Sequence, residues 1–169
     1  MMIDIPRLLE AAGGEIIGKV RLQKVVYLLD QMGMNSGFSY EYHHYGPYSA
    51  ELADRVNEDV IFRKINEIVS RRSSDGVPYS VYRANPQAGV ANGNLGGISL
   101  SKAQAALAAM QSRTATILEL AATIHWLAFV EKVADWRREL VRRKGVKTKS
   151  GRDKEALALL SELKLAPKV

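Results

Sequence analysis

At 169 residues, with 47% apolar side chains and a net charge of +6, the chain has the length of one ordinary domain and the apolar material for its core. It contains no cysteine, which excludes disulfide scaffolds, thiolate zinc sites and cysteine nucleophiles together and makes a reducing cytoplasm the expected compartment. The charge is uneven: Arg137 to Lys154 holds nine Lys or Arg against only Glu139 and Asp153, and the remainder is close to neutral.

The N-terminal MMIDIPRLLEAAGGE carries Asp4 and Glu10 and lacks the basic start and apolar centre of a signal peptide, so it reads as a first helix ending at Gly13 and Gly14. From Lys19 to Met32, Leu22, Val25, Val26 and Leu29 form the apolar stripe of an amphipathic helix, with Arg21, Gln23 and Lys24 mostly outside it, and Gly33 stops it. Phe38 to Tyr45 alternates Phe38, Tyr40, Tyr42 and His44 on one face, which predicts an aromatic strand. Pro47 and Ser49 then open a helix from about Tyr48 to Asn57, which breaks or bends over Asn57 to Ile61.

Lys64 to Arg72 and Pro78 to Ala84 flank the turn cluster Ser73 to Gly76 and read as a hairpin with Arg71 and Arg72 at its tip. Asn85 to Gly97 has four glycines and no periodicity, which predicts a loop, and a subdomain seam over residues 85–98 of a single domain. The back half is helical. Ser99 or Ser101 caps a helix through Ala103, Ala106, Leu107 and Met110; Thr114 or Thr116 opens another, apolar on two sides and therefore central. Its stretch from Thr114 to Val130 includes Glu119 and His125 and falls short of the roughly 20 apolar residues that a membrane span needs, so no membrane association is expected. Asp135 to Lys144 gives a further helix with Trp136 and Leu140 inward, and after the connector GVKTKSGR, Asp153 is expected to cap a last one through Leu157, Leu160 and Leu163. The fold class is α+β: mostly helical, with the aromatic strand and the hairpin forming a small antiparallel sheet.

Catalytic signatures are missing. His43 and His44 point to opposite faces of a strand and cannot share a metal ion, and His125 has no ligand spacing to either. The glycines of the 85–97 loop lack the spacing of a phosphate loop or a dinucleotide fingerprint, no serine stands in a nucleophile elbow, and Glu119 and Glu131 are isolated acids. No catalytic residue, metal or cofactor is therefore assigned. His44 with Tyr42, Tyr45 and Tyr48 is a polar-aromatic group that suits either a turn or a recognition surface. A nucleic-acid reading rests on Arg71 and Arg72 as the wing of a partial winged-helix pattern, with Arg137, Arg138, Arg142, Arg143, Lys144, Lys147 and Lys149 as phosphate contacts; only one clear helix, Tyr48 to Asn57, stands where a winged helix needs two. The alternative is a solvated helix face and a charged connector.

RLQKVVYLLDQMG (Arg21 to Gly33) together with YHHYGPYSAELADRV (Tyr42 to Val56) resembles the uncharacterised bacterial YwgA-like proteins, and more distantly the phage-associated SocA or Panacea-type antitoxin domain. Gln23, Lys24, Tyr27 and Leu28 match the first motif, Tyr45, Gly46, Pro47 and the helix from Ser49 the second, and LELAATIHWL (Leu118 to Leu127) a YwgA-like continuation. The resemblance implies a non-enzymatic module that captures a protein partner, a toxin or a client for delivery. On that reading Gln23, Lys24, Tyr27, His44, Tyr45, Gly46, Pro47 and Tyr48 form either a structural corner or a binding surface built on one.

Overall fold

The computed structural model describes residues 3–85 and 93–168. Helix α1 (Ile5–Ala11) is capped by Asp4, which accepts from the Arg7 amide, and α2 (Lys19–Gln31) follows a strand of three residues, β1 (Glu15–Ile17), that the sequence reading missed. The ribbon β2 (Glu41–His43) and β3 (Gly46–Tyr48) leads into α3 (Ala50–Ile61), whose cap is Ser49. The hairpin stands as predicted: β4 (Ile65–Arg71) pairs with β5 (Pro78–Ala84).

Three expectations for this half change. The aromatic strand shortens to Glu41–His43 and pairs with Gly46–Tyr48, so Tyr48 is strand rather than helix, and this ribbon is separate from the hairpin sheet. The hairpin's sheet partner is β1, in the order β1-β5-β4. Helix α3 runs unbroken to Ile61, because Asp59 is buried and pairs with Arg55 four residues earlier at 3.6 Å, continuing the period of Leu52 and Val56.

With these corrections, helix, strand, two helices and a hairpin follow in winged-helix order, the ribbon β2–β3 being inserted between α2 and α3. The second helix that the sequence reading lacked is α2, which it had placed before the aromatic strand.

Of the predicted glycine loop, residues 86–92 lie outside the described residues. Beyond them, β6 (Asn94–Leu95) and β7 (Ile98–Ser99) form a small ribbon that buries Leu95. Its turn lies so close to the main chain after α2 that a Cβ on Gly96 would stand 2.1 Å from the Met34 carbonyl oxygen, and one on Gly97 2.3 Å from that of Gly33. Helices α4 (Leu100–Gln111, cap Ser99), α5 (Ala115–His125, cap Thr114), α6 (Trp136–Lys144, cap Asp135) and α7 (Arg152–Glu162) complete the chain. Gly151, not Asp153, stands at the cap of α7; Asp153 lies inside its first turn. A π-helical turn at Trp126–Val130 extends α5.

One cluster of buried apolar side chains runs from Ile3 and Leu8 through Val25 and Leu29 to Leu120, Ile124 and Leu160. Helix α5 is its axis, packing against α2, α6 and α7, as its two apolar stripes require. Among the described residues no helix is long and apolar enough to cross a membrane.

Candidate functional site

The ribbon β2–β3 is held onto the helices by polar side chains that it buries. Eight consecutive residues of α2, Leu22 to Leu29, are buried, so Gln23 and Lys24 lie inside rather than at the margin that the apolar stripe gave them. Gln23 reads the Ser49 backbone in both directions: its Nε2 donates to the Ser49 carbonyl at 2.9 Å and its Oε1 accepts from the Ser49 amide at 2.9 Å. That fixes the residue whose hydroxyl caps α3, at 3.1 Å from the Leu52 amide. Lys24, 1% exposed, donates from Nζ to the Pro47 carbonyl at 2.5 Å.

A second lysine grips the other end of the same turn. Lys144, from the end of α6, donates to the His44 carbonyl at 3.1 Å and lies 3.1 Å from Glu119 on α5. Glu119, 3% exposed, also accepts from Lys147 at 3.0 Å. Two ammonium groups thus share one buried carboxylate, a costly arrangement whose gain is the fixed position of the His44 carbonyl in the β2–β3 turn. Burial lowers Lys24 to about 8, with Glu119 working against the shift and Lys144 adding to it.

Between the two lysines, Gly46 sits on α5. Its φ of +92° suits glycine, and a Cβ there would stand 2.7 Å from Thr123 Oγ1. That hydroxyl is buried with no hydrogen-bond partner among the described residues. Two residues further along α5, His125 Nδ1 and the Tyr27 hydroxyl share a hydrogen bond of 2.8 Å. Burial lowers the imidazole to about 4, so near neutral pH it is uncharged and its Nδ1 can accept.

Of the residues expected at this corner, Gln23, Lys24, Tyr27, Gly46 and Pro47 are buried supports, whereas Tyr45 is 49% exposed and Tyr48 half-buried. The group expected around His44 is divided. The His44 ring meets that of Tyr45, centroids 4.9 Å apart; Tyr48 stacks on His43 at 4.7 Å; Tyr42 faces Trp126 and carries the Arg143 guanidinium 4.6 Å above its ring. Lys147 lies 5.0 Å over the Tyr45 ring.

Tyr45 and Tyr48 rim a groove of 440 Å³ between α2 and α3, with Lys19, Val20 and Gln23 along one wall, Leu52, Ala53, Val56 and Asn57 along the other, and Lys24 and Tyr82 beneath. Its size is that of small-ligand and peptide sites, about 300–1,000 Å³. Sequence reasoning missed Glu119, Thr123 and this groove. The signal for the first was an acid in an otherwise apolar helix, which needs a buried partner.

The basic residues do not form one free surface. Arg143 pairs with Glu131 and Glu139 at 2.7 and 2.8 Å, Arg142 pairs with Glu139, and Lys144 and Lys147 serve Glu119. Arg137 lies against Trp136, and Arg138 and Lys149 are exposed. At the hairpin tip, Arg72 pairs with Asp75 at 2.8 Å and Arg71 donates to the Gly76 carbonyl at 3.0 Å. Helix α3, in the place of a recognition helix, exposes Glu51, Asp54 and Glu58, all repelling phosphate. Among the described residues no group of three or more His, Asp or Glu side chains is placed to hold a metal ion.

Fold and site together define a mostly helical α+β protein in which a tyrosine-rimmed groove is braced by a buried charge cluster. No family model matches the chain. It is similar to the Bacillus subtilis (strain 168) protein called uncharacterized protein YwgA, with 27% identity over 152 residues that cover 89% of each chain, in agreement with the YwgA-like resemblance read from the sequence. The three segments on which that resemblance rests, 21–33, 42–56 and 118–127, meet at this corner: Gln23 and Lys24 come from the first, Gly46 and Pro47 from the second, Glu119 and Thr123 from the third.

Proposed function

We propose that the protein is a non-enzymatic interaction module of antitoxin or adaptor type, acting in the cytoplasm, which captures a protein partner in the groove between α2 and α3. The observation that carries this reading is the pairing of an accessible, mainly apolar groove with the rigid support beneath it. Tyrosine at a preformed concavity is the composition of interface hot spots, since its ring offers large contact area with few torsions to freeze. Gln23, Lys24, Lys144 and Glu119 fix the β2–β3 ribbon that presents Tyr45 and Tyr48, so little ordering cost falls on binding. The resemblance of the Arg21–Gly33 and Tyr42–Val56 motifs to SocA or Panacea-type antitoxins supports the same class, with a toxin as one such partner.

The test is affinity capture from the source cell with the wild-type chain and with the Tyr45→Ala, Tyr48→Ala double variant. A partner retained by the first and lost by the second supports the reading; capture of nothing specific, or capture indifferent to the tyrosines, refutes it.

A second reading, a winged-helix DNA binder, is favoured by the element order alone. It requires salt-sensitive affinity for duplex DNA that falls when Arg137, Arg138 and Lys149 are reversed in charge, and flat anisotropy titrations at low salt rule it out. Lys144 is unsuited to that test because it holds the turn of the β2–β3 ribbon.

A further inference from the structure

We infer that the occupant of the groove between α2 and α3 is an apolar segment of a partner protein that carries a carboxylate, which meets the lysine-bearing wall. The inference rests on the interaction reading above and adds the chemistry of the partner.

Charge decides it. The groove's lining includes Lys19 and Lys24 and, among the described residues, no acid. At the Tyr45 end the imbalance deepens: Lys147 lies over the Tyr45 ring, and Lys144 and Lys147 share the single carboxylate of Glu119. Positive charge therefore exceeds negative where solvent is partly excluded and screening is weak. The exposed acids of α3, Glu51, Asp54 and Glu58, are not among the residues lining the groove. An occupant with a basic or neutral face would leave the excess uncompensated, whereas an Asp or Glu side chain supplies the missing negative charge at the lysine wall. Val20, Ala53 and Val56 supply apolar contact for the rest of the segment.

Lys19 is the residue on which to test this. It is exposed and begins α2, where an acidic replacement favours the helix through the peptide dipoles, so Lys19→Glu preserves the fold while reversing the charge of the wall. The experiment is selection of a random 16-residue peptide display library on the full chain, with counter-selection on Ala53→Trp, whose indole fills the groove. The best peptide is then synthesised and titrated by fluorescence anisotropy. Enriched sequences combining apolar residues with Asp or Glu are expected, with affinity falling about tenfold on Lys19→Glu and by a similar factor when the peptide's Glu is changed to Gln. Groove-dependent peptides that are basic, or whose affinity ignores both changes, overturn the carboxylate but leave the interaction reading standing. A library that yields nothing sensitive to Ala53→Trp overturns both.

Discussion

Gly46→Ala isolates the contact on which the corner depends. The substitution meets two separate penalties. A side chain at φ +92° costs about 1–2 kcal/mol by its left-handed backbone alone. The new Cβ would also stand 2.7 Å from Thr123 Oγ1, and overpacking of this kind costs about 1–3 kcal/mol, because α5 is the axis of the core and cannot retreat. The expected loss is thus about 2–5 kcal/mol. Thr123→Ala removes the opposing hydroxyl. Since that group has no partner, removal sacrifices a methyl's burial but relieves an orphaned polar atom, and the net change is expected to stay within about 1 kcal/mol. In the Thr123→Ala background Gly46→Ala then costs only its backbone part. Urea unfolding of the four proteins measures the coupling, expected at about 1–3 kcal/mol. Additivity of the two changes to within about 0.5 kcal/mol would refute the claim that Gly46 is required by its seat on Thr123.

Three further outcomes follow from the buried polar groups. His125 has a folded value of about 4 against 6.5 unfolded, so below pH 6.5 the unfolded chain takes up a proton that the folded imidazole refuses; stability should fall as pH drops from 6.5 to 4, by up to about 3 kcal/mol, and His125→Gln should show a shallower profile in chemical denaturation. Lys24, lowered from 10.5 to about 8, works at the other end: stability should rise with pH between 8 and 10, and a Lys24→Met variant that keeps the full rise would contradict the assignment. Glu119→Gln leaves the Lys144 and Lys147 ammonium groups without their carboxylate and should cost about 3–5 kcal/mol in urea unfolding; a loss under about 1 kcal/mol would mean that the cluster is not a support.

The sequence made the long elements legible. The apolar stripe from Leu22 to Leu29, the caps Ser99 and Thr114, each the first of two positions that the sequence offered, and the turn cluster between β4 and β5 each act locally, and each appears where the spacing allowed it. What failed was decided by partners distant in sequence. Strand β1 has three residues and exists because β5, over 60 positions later, pairs with it at Glu15↔Arg83. The alternation of Phe38 to Tyr45 suggested a long strand, but only Glu41–His43 finds a pairing partner, beyond the tight turn at His44 and Tyr45. For the site, the Gln23–Lys24 and Tyr-Gly-Pro motifs were visible, while the depth of the two polar side chains was not: a helical wheel places them beside the stripe, and only the hairpin's backbone groups explain their burial. Lys144 and Lys147 read as phosphate contacts because Glu119, 28 positions before Lys147, could not be matched to them from spacing. The groove itself belongs to the packing of α2 against α3.

Whether a partner occupies that groove is tested most directly by photo-crosslinking from within it. A benzoylphenylalanine residue is placed at Ala53, and for comparison at the exposed Val141 on α6, in the full chain inside the source cell. The account predicts a discrete crosslinked species from position 53 that is absent from position 141 and disappears when Tyr45 and Tyr48 are changed to alanine. The same products from both positions, or none from position 53, would contradict it.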